Sequence, residues 1–591
     1  MCVVMRRAMF FVVIMFAACM PSLAQEEMEA IMRVTGADAP EEMDEYEVER
    51  LSAMIRRPVR LNSVSTSRLA SCGLFSAYQA ASFIDYITRH GDVVSYAELS
   101  SIDGFGEDFV EKIKPFVTLE GGEIDESKGR GIWNDMTIKT GLKSTAEELS
   151  WNYGVRYSME SSGGVSAGVA FSRPYSASGP APDSYSGVLE WEFMKIPMRI
   201  LAGDYNARFG QGLALWNGLS MSGLTSPSSF MRRPSGLSGS SSFTGSYAMT
   251  GLALSAFVRK LVLNVSLALP GIHSMQSSPE GLSMLPAVNL VWNHRNGQIG
   301  MTHYMDSRLR TGEISDMKSS VDFAWCVRGV DIFGEAVFDW VYQIPAALAG
   351  VSFPLGESFR SAAMIRLYPS GYSSEWSGAQ RSTTSCSNEF SASAALEYAG
   401  NDRRHTAGIS ADMAFFPEPK NKDCSNNRQI KLQASWEFAG DRVGVKVRMK
   451  ERVRDWGRKY QTDLRSDIIW RWKRMALNVR ANLLHCRALA GLGYVEGEYK
   501  TDKIGVYLKS GIFIVDNWDD RIYAYERDGP GNFNVPAFYG RGVWVSAVAS
   551  LKFARWGKLY VRSAYTGYPF MTGEKKKPGK AELKLQCVFS F

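Results

Sequence analysis

The chain ends on Leu583-Lys584-Leu585-Gln586-Cys587-Val588-Phe589-Ser590-Phe591, with Leu583, Leu585, Cys587, Phe589 and Phe591 on one parity and Lys584, Gln586, Val588 and Ser590 on the other. A strand sends successive side chains to opposite faces, so this segment reads as a strand with one apolar and one mainly polar face. The pattern recurs upstream. Ile430, Leu432, Ala434, Trp436 and Phe438 alternate with Lys431, Gln433, Ser435 and Glu437, and Val443, Val445, Val447 and Met449 with Gly444, Lys446, Arg448 and Lys450. Phe390, Ala392, Ala394, Leu396 and Tyr398 alternate in the same way with Ser391, Ser393, Ala395 and Glu397. The segments run about ten to twelve residues, the length a tilted strand needs to cross hydrocarbon. In lipid every backbone amide must pair within the protein, and strands achieve that only in a closed barrel. Beyond the first two dozen positions no apolar run of eighteen residues occurs, which excludes a helical membrane protein.

Short turns near 160–163, 195–197, 258–259, 294–296, 399–403, 439–441, 500–502 and 553–555 alternate with long connections at 217–242, 270–283, 369–387, 416–426, 516–539 and 567–579. That is the periplasmic and extracellular asymmetry of an outer-membrane barrel. The parity gives a mainly β fold, a large antiparallel transmembrane β-barrel of about 24 strands (22–26) over 131–591, with both barrel ends on the short-turn side. A small all-α region precedes it. The aromatic carboxy-terminus Phe591 resembles the signature by which the outer-membrane assembly machinery recognises its clients. Membrane lipid and lipopolysaccharide are the other expected partners of such a barrel, the latter at basic loops.

At the other end, Arg6 and Arg7 precede an apolar stretch over 8–20 and the small residues Ser22 and Ala24, the pattern of a cleaved signal peptide over 1–24. The mature chain is expected to begin at Gln25. An acidic amphipathic helical segment (25–60), a helical domain (61–119) and a linker (120–130) lead into the barrel. Residues 25–119 hold nine Lys/Arg against 17 Asp/Glu, a balance of −8, whereas residues 120–591 carry +12. Six cysteines follow the signal (Cys72, Cys326, Cys386, Cys424, Cys486, Cys587) without a CxxC spacing, and the six histidines are scattered. No metal site or other cofactor is expected. Cys386 and Cys424 lie in neighbouring loops, either paired or as free thiols. Gly164-Val165-Ser166-Ala167-Gly168 has the letters of a nucleophile elbow but opens a strand rather than a strand-to-helix turn, and no enzyme is expected.

Within 61–119, helix starts are expected at Ser65 or Thr66, at Ala77, at Ser95 and at Glu107, with Pro115 closing the last. Ser101-Ile102-Asp103-Gly104-Phe105-Gly106, preceded by Tyr96-Ala97-Glu98-Leu99 and followed by a helix to Lys114-Pro115, resembles the helix-hairpin-helix domain of competence DNA receptors (ComEA-like). Leu61, Leu69, Cys72, Ala80, Ile84 and Gly91 fit the first hairpin of the same tandem motif. The whole layout is similar to outer-membrane proteins that join such a domain to a barrel. The resemblance implies that Gly104, Phe105 and Gly106 offer backbone amides to DNA phosphates without reading bases, with Lys112 and Lys114 adding charge, and that the domain sits in the periplasm. The first hairpin, Gly73-Leu74-Phe75-Ser76, carries an apolar pair instead of the second glycine. Only four basic residues stand against seven acids over 61–119, whereas duplex affinity comes from neutralising phosphates.

Residues 442–480 contain 13 Lys/Arg and four Asp/Glu, and alternation sends Lys446, Arg448, Lys450, Arg465, Arg471, Lys473 and Arg480 to a lumen face. Such a wall attracts anions in transit or pairs with acids on adjacent strands or a plug, with Glu437, Glu451 and Asp467 as candidates. Gly203-Asp204-Tyr205 and Phe209-Gly210-Gln211-Gly212-Leu213 suggest a bend or the close approach of another backbone. Two functions follow. One is uptake or transport with DNA bound by the helical domain. The other is a structural or interaction protein whose helical domain plugs the barrel or binds a periplasmic protein.

Overall fold

Period-two alternation builds the expected sheet. In the computed structural model 24 long strands, each of 8 to 15 residues, close into one antiparallel barrel among the described residues. Those are residues 25–591 except 44, 64–68, 70–71, 76, 121–130, 146–147, 194–195, 219–222, 244–247, 271, 273–281, 295, 401, 403, 420–426, 456–458 and 572–576. The expected signal peptide, all but residue 120 of the linker, the helix start at Ser65 or Thr66, and Cys424 with its question of pairing lie outside them. The last strand, Lys580–Ser590, pairs with the first, Ile132–Ser144, from Ala581 opposite Ser144 to Ser590 opposite Asp135. That pairing removes both sheet edges. Phe591 extends it, exchanging backbone hydrogen bonds of 2.7 and 2.9 Å with Asn134.

The faces are inverted relative to a soluble protein. Leu432, Trp436, Leu583 and Leu585 stand exposed on the outside, while Arg366, Lys318, Asp339 and Glu389 are wholly buried within. Exposed Trp133, Trp191, Trp292, Trp436 and Trp470 lie near the short-turn ends of their strands, and exposed Trp556 lies in such a turn, where an interfacial aromatic girdle belongs. Val165–Arg173 is a strand, as its reading against a nucleophile elbow required. An added short strand, Gly236–Gly239, pairs on the inward extension of Met198–Arg208.

The N-terminal region folds as α1 (Gln25–Thr35), α2 (Glu45–Arg56), α3 (Ala77–His90), α4 (Tyr96–Ser101) and α5 (Gly106–Ile113). Val59 and Arg60 pair in parallel with Val117 and Thr118. Ser95 caps α4 by accepting from the Glu98 amide at 3.1 Å, as its residue type foretold. No physical boundary falls at residue 60. Ile31 and Leu51 share one core with Leu61, Phe83, Leu99, Phe105 and Phe116, because helices as short and amphipathic as α1 and α2 cannot bury their apolar stripe alone.

Candidate functional site

The −8 of the helical region and the basic lumen wall meet. A 3-10 turn over Pro40–Glu42 presents two successive carboxylates to strands Val443–Arg454, Lys459–Trp472 and Met475–His485. Register sets Arg448 directly opposite Arg465 and Asp467 opposite Arg480, so the wall has too few acids of its own to neutralise its guanidinium groups. Glu41 accepts from Arg465 at 3.0 Å, from Arg480 at 2.7 Å and from the Tyr525 amide at 2.9 Å. Glu42 accepts from Arg448 at 2.9 Å and from Lys450. Glu29 holds Arg471 at 2.9 Å, Glu49 pairs with Arg156, and Gln433 donates to Asp38. Arg57 reverses the sign by pairing with Asp135 at 3.0 Å. Burial opposes ionisation of Glu42, but Lys450 and Arg448 outweigh it and hold the carboxyl down at about 2. Glu41 is likewise held below its ordinary range by Arg465 against the burial penalty. At Asp38 burial wins and the carboxyl is pushed up.

Six of the seven expected wall residues thus belong to one region of the lumen, where acids of the helical region reach Arg448, Lys450, Arg465, Arg471 and Arg480. Lys446 faces Glu437 on the adjacent strand at 3.3 Å. Lys473 is a correction. It stands exposed with φ 48° in the two-residue turn between Trp472 and Met475, because the strand ends one residue before it. Acids of the helical region, which was expected in the periplasm, meet the lumen wall in these ion pairs. The acid partners Glu29, Glu41, Glu42 and Glu49 were not singled out from the sequence. Their one signal was the opposite charge of the two parts of the chain.

Loops from the long-turn side fold inward to meet the helical region. Residues 209–216 turn into the lumen, where Glu335 accepts from the amides of Gln211 (2.8 Å), Leu213 (2.9 Å) and Ala214 (2.9 Å). Gly210 (φ 56°) and Gly212 (φ 84°) supply left-handed backbone, and a Cβ on Gly210 would stand 2.9 Å from Glu335 and 3.0 Å from Asp322. At Gly210 the close approach is made by a carboxylate pair and not by another backbone, whereas at Gly203 a Cβ would meet the backbone of Gly187 and Val188. Loop 369–388 adds Tyr372, which donates to Leu213 O at 2.8 Å, and Trp376, whose carbonyl takes the Trp216 amide at 2.7 Å. Loop 516–539 adds Arg527, which donates to Glu496 at 2.5 Å. The helical region and these loops touch where Thr225 donates to Gly36 O at 3.3 Å, Arg233 to Leu74 O at 3.1 Å and Ser242 to Glu49 at 3.3 Å.

The hairpin between α4 and α5 has Gly104 at φ 86° and Gly106 at φ 55°, with both glycines exposed. Phe105 is buried between Phe75, Phe83 and Phe109 at ring separations of 5.8 to 6.1 Å. Lys112 is paired with Asp108 at 2.8 Å and Lys114, just past the end of α5, with Glu111 at 3.5 Å, so both lysines expected to meet phosphate are engaged by acids of α5. In the first hairpin Leu74 and Phe75 enter the core. Among the described residues no group of three or more His, Cys, Asp or Glu is arranged to hold a metal ion.

No protein-family model matches the chain. No curated protein matches it either. Solved structures do. The chain is similar over 78% of its length to the translocation pore of the P pilus usher PapC, covering 99% of that chain at 7% identity with a TM-score of 0.38. It is similar over the same share to the siderophore receptor PirA from Pseudomonas aeruginosa (80% of that chain, 8% identity, TM-score 0.39) and to the copper transporter OprC (80%, 10%, 0.37). These likenesses are to outer-membrane barrels, and at such scores they carry nothing about cargo.

Proposed function

We propose that the protein is an outer-membrane transporter held shut by its own N-terminal region, residues 25–119 acting as a plug. One observation carries this reading: consecutive carboxylates of the plug, Glu41 and Glu42, seat on four basic side chains of the lumen wall, while the plug's apolar core is almost wholly its own. A body with its own core and a charged seat can leave that seat without unfolding. Partly buried ion pairs add little net stability over apolar packing but penalise wrong partners strongly, which suits a reversible seat. Of the two functions left open by the sequence, the charges favour closure over DNA binding, because the hairpin lysines are already paired and acids surround them.

Planar-bilayer recording of the whole protein tests the reading. The parent chain is expected to be nearly silent, and the reversal Glu41→Lys with Glu42→Lys, which sets cations against Arg448, Arg465 and Arg480, is expected to give frequent large openings. A reversed chain as silent as the parent, with its barrel intact, would refute the plug as the gate.

A further inference from the structure

On the other side of the plug a cavity of about 670 Å³ separates α3 and the hairpin from the wall strands. Its lining is unusual for this lumen. Phe257, Val262 and Val291 of the wall and Ala80 and Ile84 of α3 give it apolar sides, where most inward positions of the barrel are polar. At its buried end stands Asp322, 1% exposed, whose Oδ1 has no hydrogen-bond partner. A second lining acceptor, Asn293 Oδ1, is also unsatisfied.

The neighbours of Asp322 do not supply the missing donor. Register places it opposite Gly300 on one side and Glu335 on the other, and Glu335 is committed to three backbone amides. A Cβ at Gly300 would collide with Asp322 Oδ1, so the glycine lets the carboxyl pack directly against this backbone. The cations on the lining are occupied or remote from the buried end. Arg199 is held by Glu190 at 3.3 Å and Arg89 by Asp85 at 2.8 Å. Arg259 and Lys260 are exposed in the turn at the rim. A buried carboxylate oxygen without a donor is costly, and Asp322 lines a space large enough for a small molecule.

We propose that this cavity binds a small organic cation, a protonated amine on an apolar body, with the ammonium on Asp322 and the body against Phe257, Val262, Val291 and Ile84. The site rests on the seated position of residues 25–119, whose Ala80 and Ile84 form one wall, and not on their ever leaving it. The test is equilibrium dialysis of the whole protein in nanodiscs, with empty discs as blank, against tryptamine, methylamine and uncharged N-acetyltryptamine. Tryptamine is expected to bind saturably at one per chain. Methylamine, lacking the body, and N-acetyltryptamine, lacking the charge, are expected to bind at least tenfold more weakly, and Asp322→Asn is expected to weaken tryptamine by at least tenfold. No saturable binding above the blank, equal binding of the acetylated compound, or unchanged binding by Asp322→Asn overturns the site. Should that variant fail to fold, Ile84→Trp, which fills the chamber from the plug side, must lower tryptamine binding by the same factor, and unchanged binding there overturns it as well.

Discussion

Glu42 lies between Arg448 and Lys450 with about a fifth of its side chain open to solvent, and its carboxyl titrates at about 2 where a free one would titrate at 4.5. A depressed acid stabilises the state that depresses it above the free value and loses that contribution as pH falls through the bound one. The seat is therefore at full strength above about pH 4.5 and loses about 3 kcal/mol from this group between there and about pH 2. Asp38, pushed up by burial, works in the opposite sense and favours the seat as it gains a proton. Channel openings are expected to stay rare from about pH 8 to pH 5 and to rise below about pH 4, where Glu42 begins to dominate. Glu42→Gln leaves Arg448 and Lys450 without their shared anion and is expected to weaken the seat by roughly 3 kcal/mol or more, read as openings already at neutral pH. Glu335 is the matching residue of the inward loop. Glu335→Ala strands the amides of Gln211, Leu213 and Ala214 and is expected to cost about 2–4 kcal/mol, seen as protease cleavage within 209–217 that the parent resists.

At the scale of elements, the last strand and the inward loops follow different rules. Strand Lys580–Ser590 was readable because lipid and lumen impose opposite chemistry on alternate residues, so Leu583 and Leu585 had to face out and Lys584 and Gln586 in. Lys584 indeed reaches Asp528 at 2.7 Å and Gln586 reaches Pro530 O at 2.7 Å. Deleting Phe591 removes both backbone bonds to Asn134 at the seam and is expected to reduce the folded, heat-modifiable fraction in the membrane several-fold, while a fraction equal to the parent's would deny that residue an assembly role. The inward loops obey no period. Residues 209–216 carry glycines that announce an irregular backbone, but the carboxylate that clasps them is Glu335, more than a hundred positions away, and nothing local names it. Lys473 shows the limit of parity itself, since a strand ending one residue early turns an expected lumen residue into a turn residue.

For the whole molecule, the prediction that separates the two functional readings is nucleic-acid binding. Fluorescently labelled duplex and single-stranded DNA titrated into the intact protein at low and moderate salt are expected to show no saturable, salt-sensitive binding at micromolar protein, because Lys112 and Lys114 are paired and phosphate neutralisation has no free cations in the hairpin to draw on. Saturable binding that falls steeply with salt would restore the DNA reading. The sequence alone determined the closed barrel, its strand number to within its stated range, the faces of the four strands whose alternation was read, and the existence of α3, α4 and α5, because periodicity, capping and turn chemistry are local properties written within ten or twenty residues. Only the tertiary structure showed which acids of the helical region meet the basic wall. Glu41 and Arg465 are joined by a Coulomb contact across more than four hundred residues, and a net charge of −8 facing one of +12 says that two parts attract without saying that one goes inside the other. That choice depends on the width of the barrel, the depth of the inward loops and the shape of the plug, quantities that exist only once the chain has closed on itself.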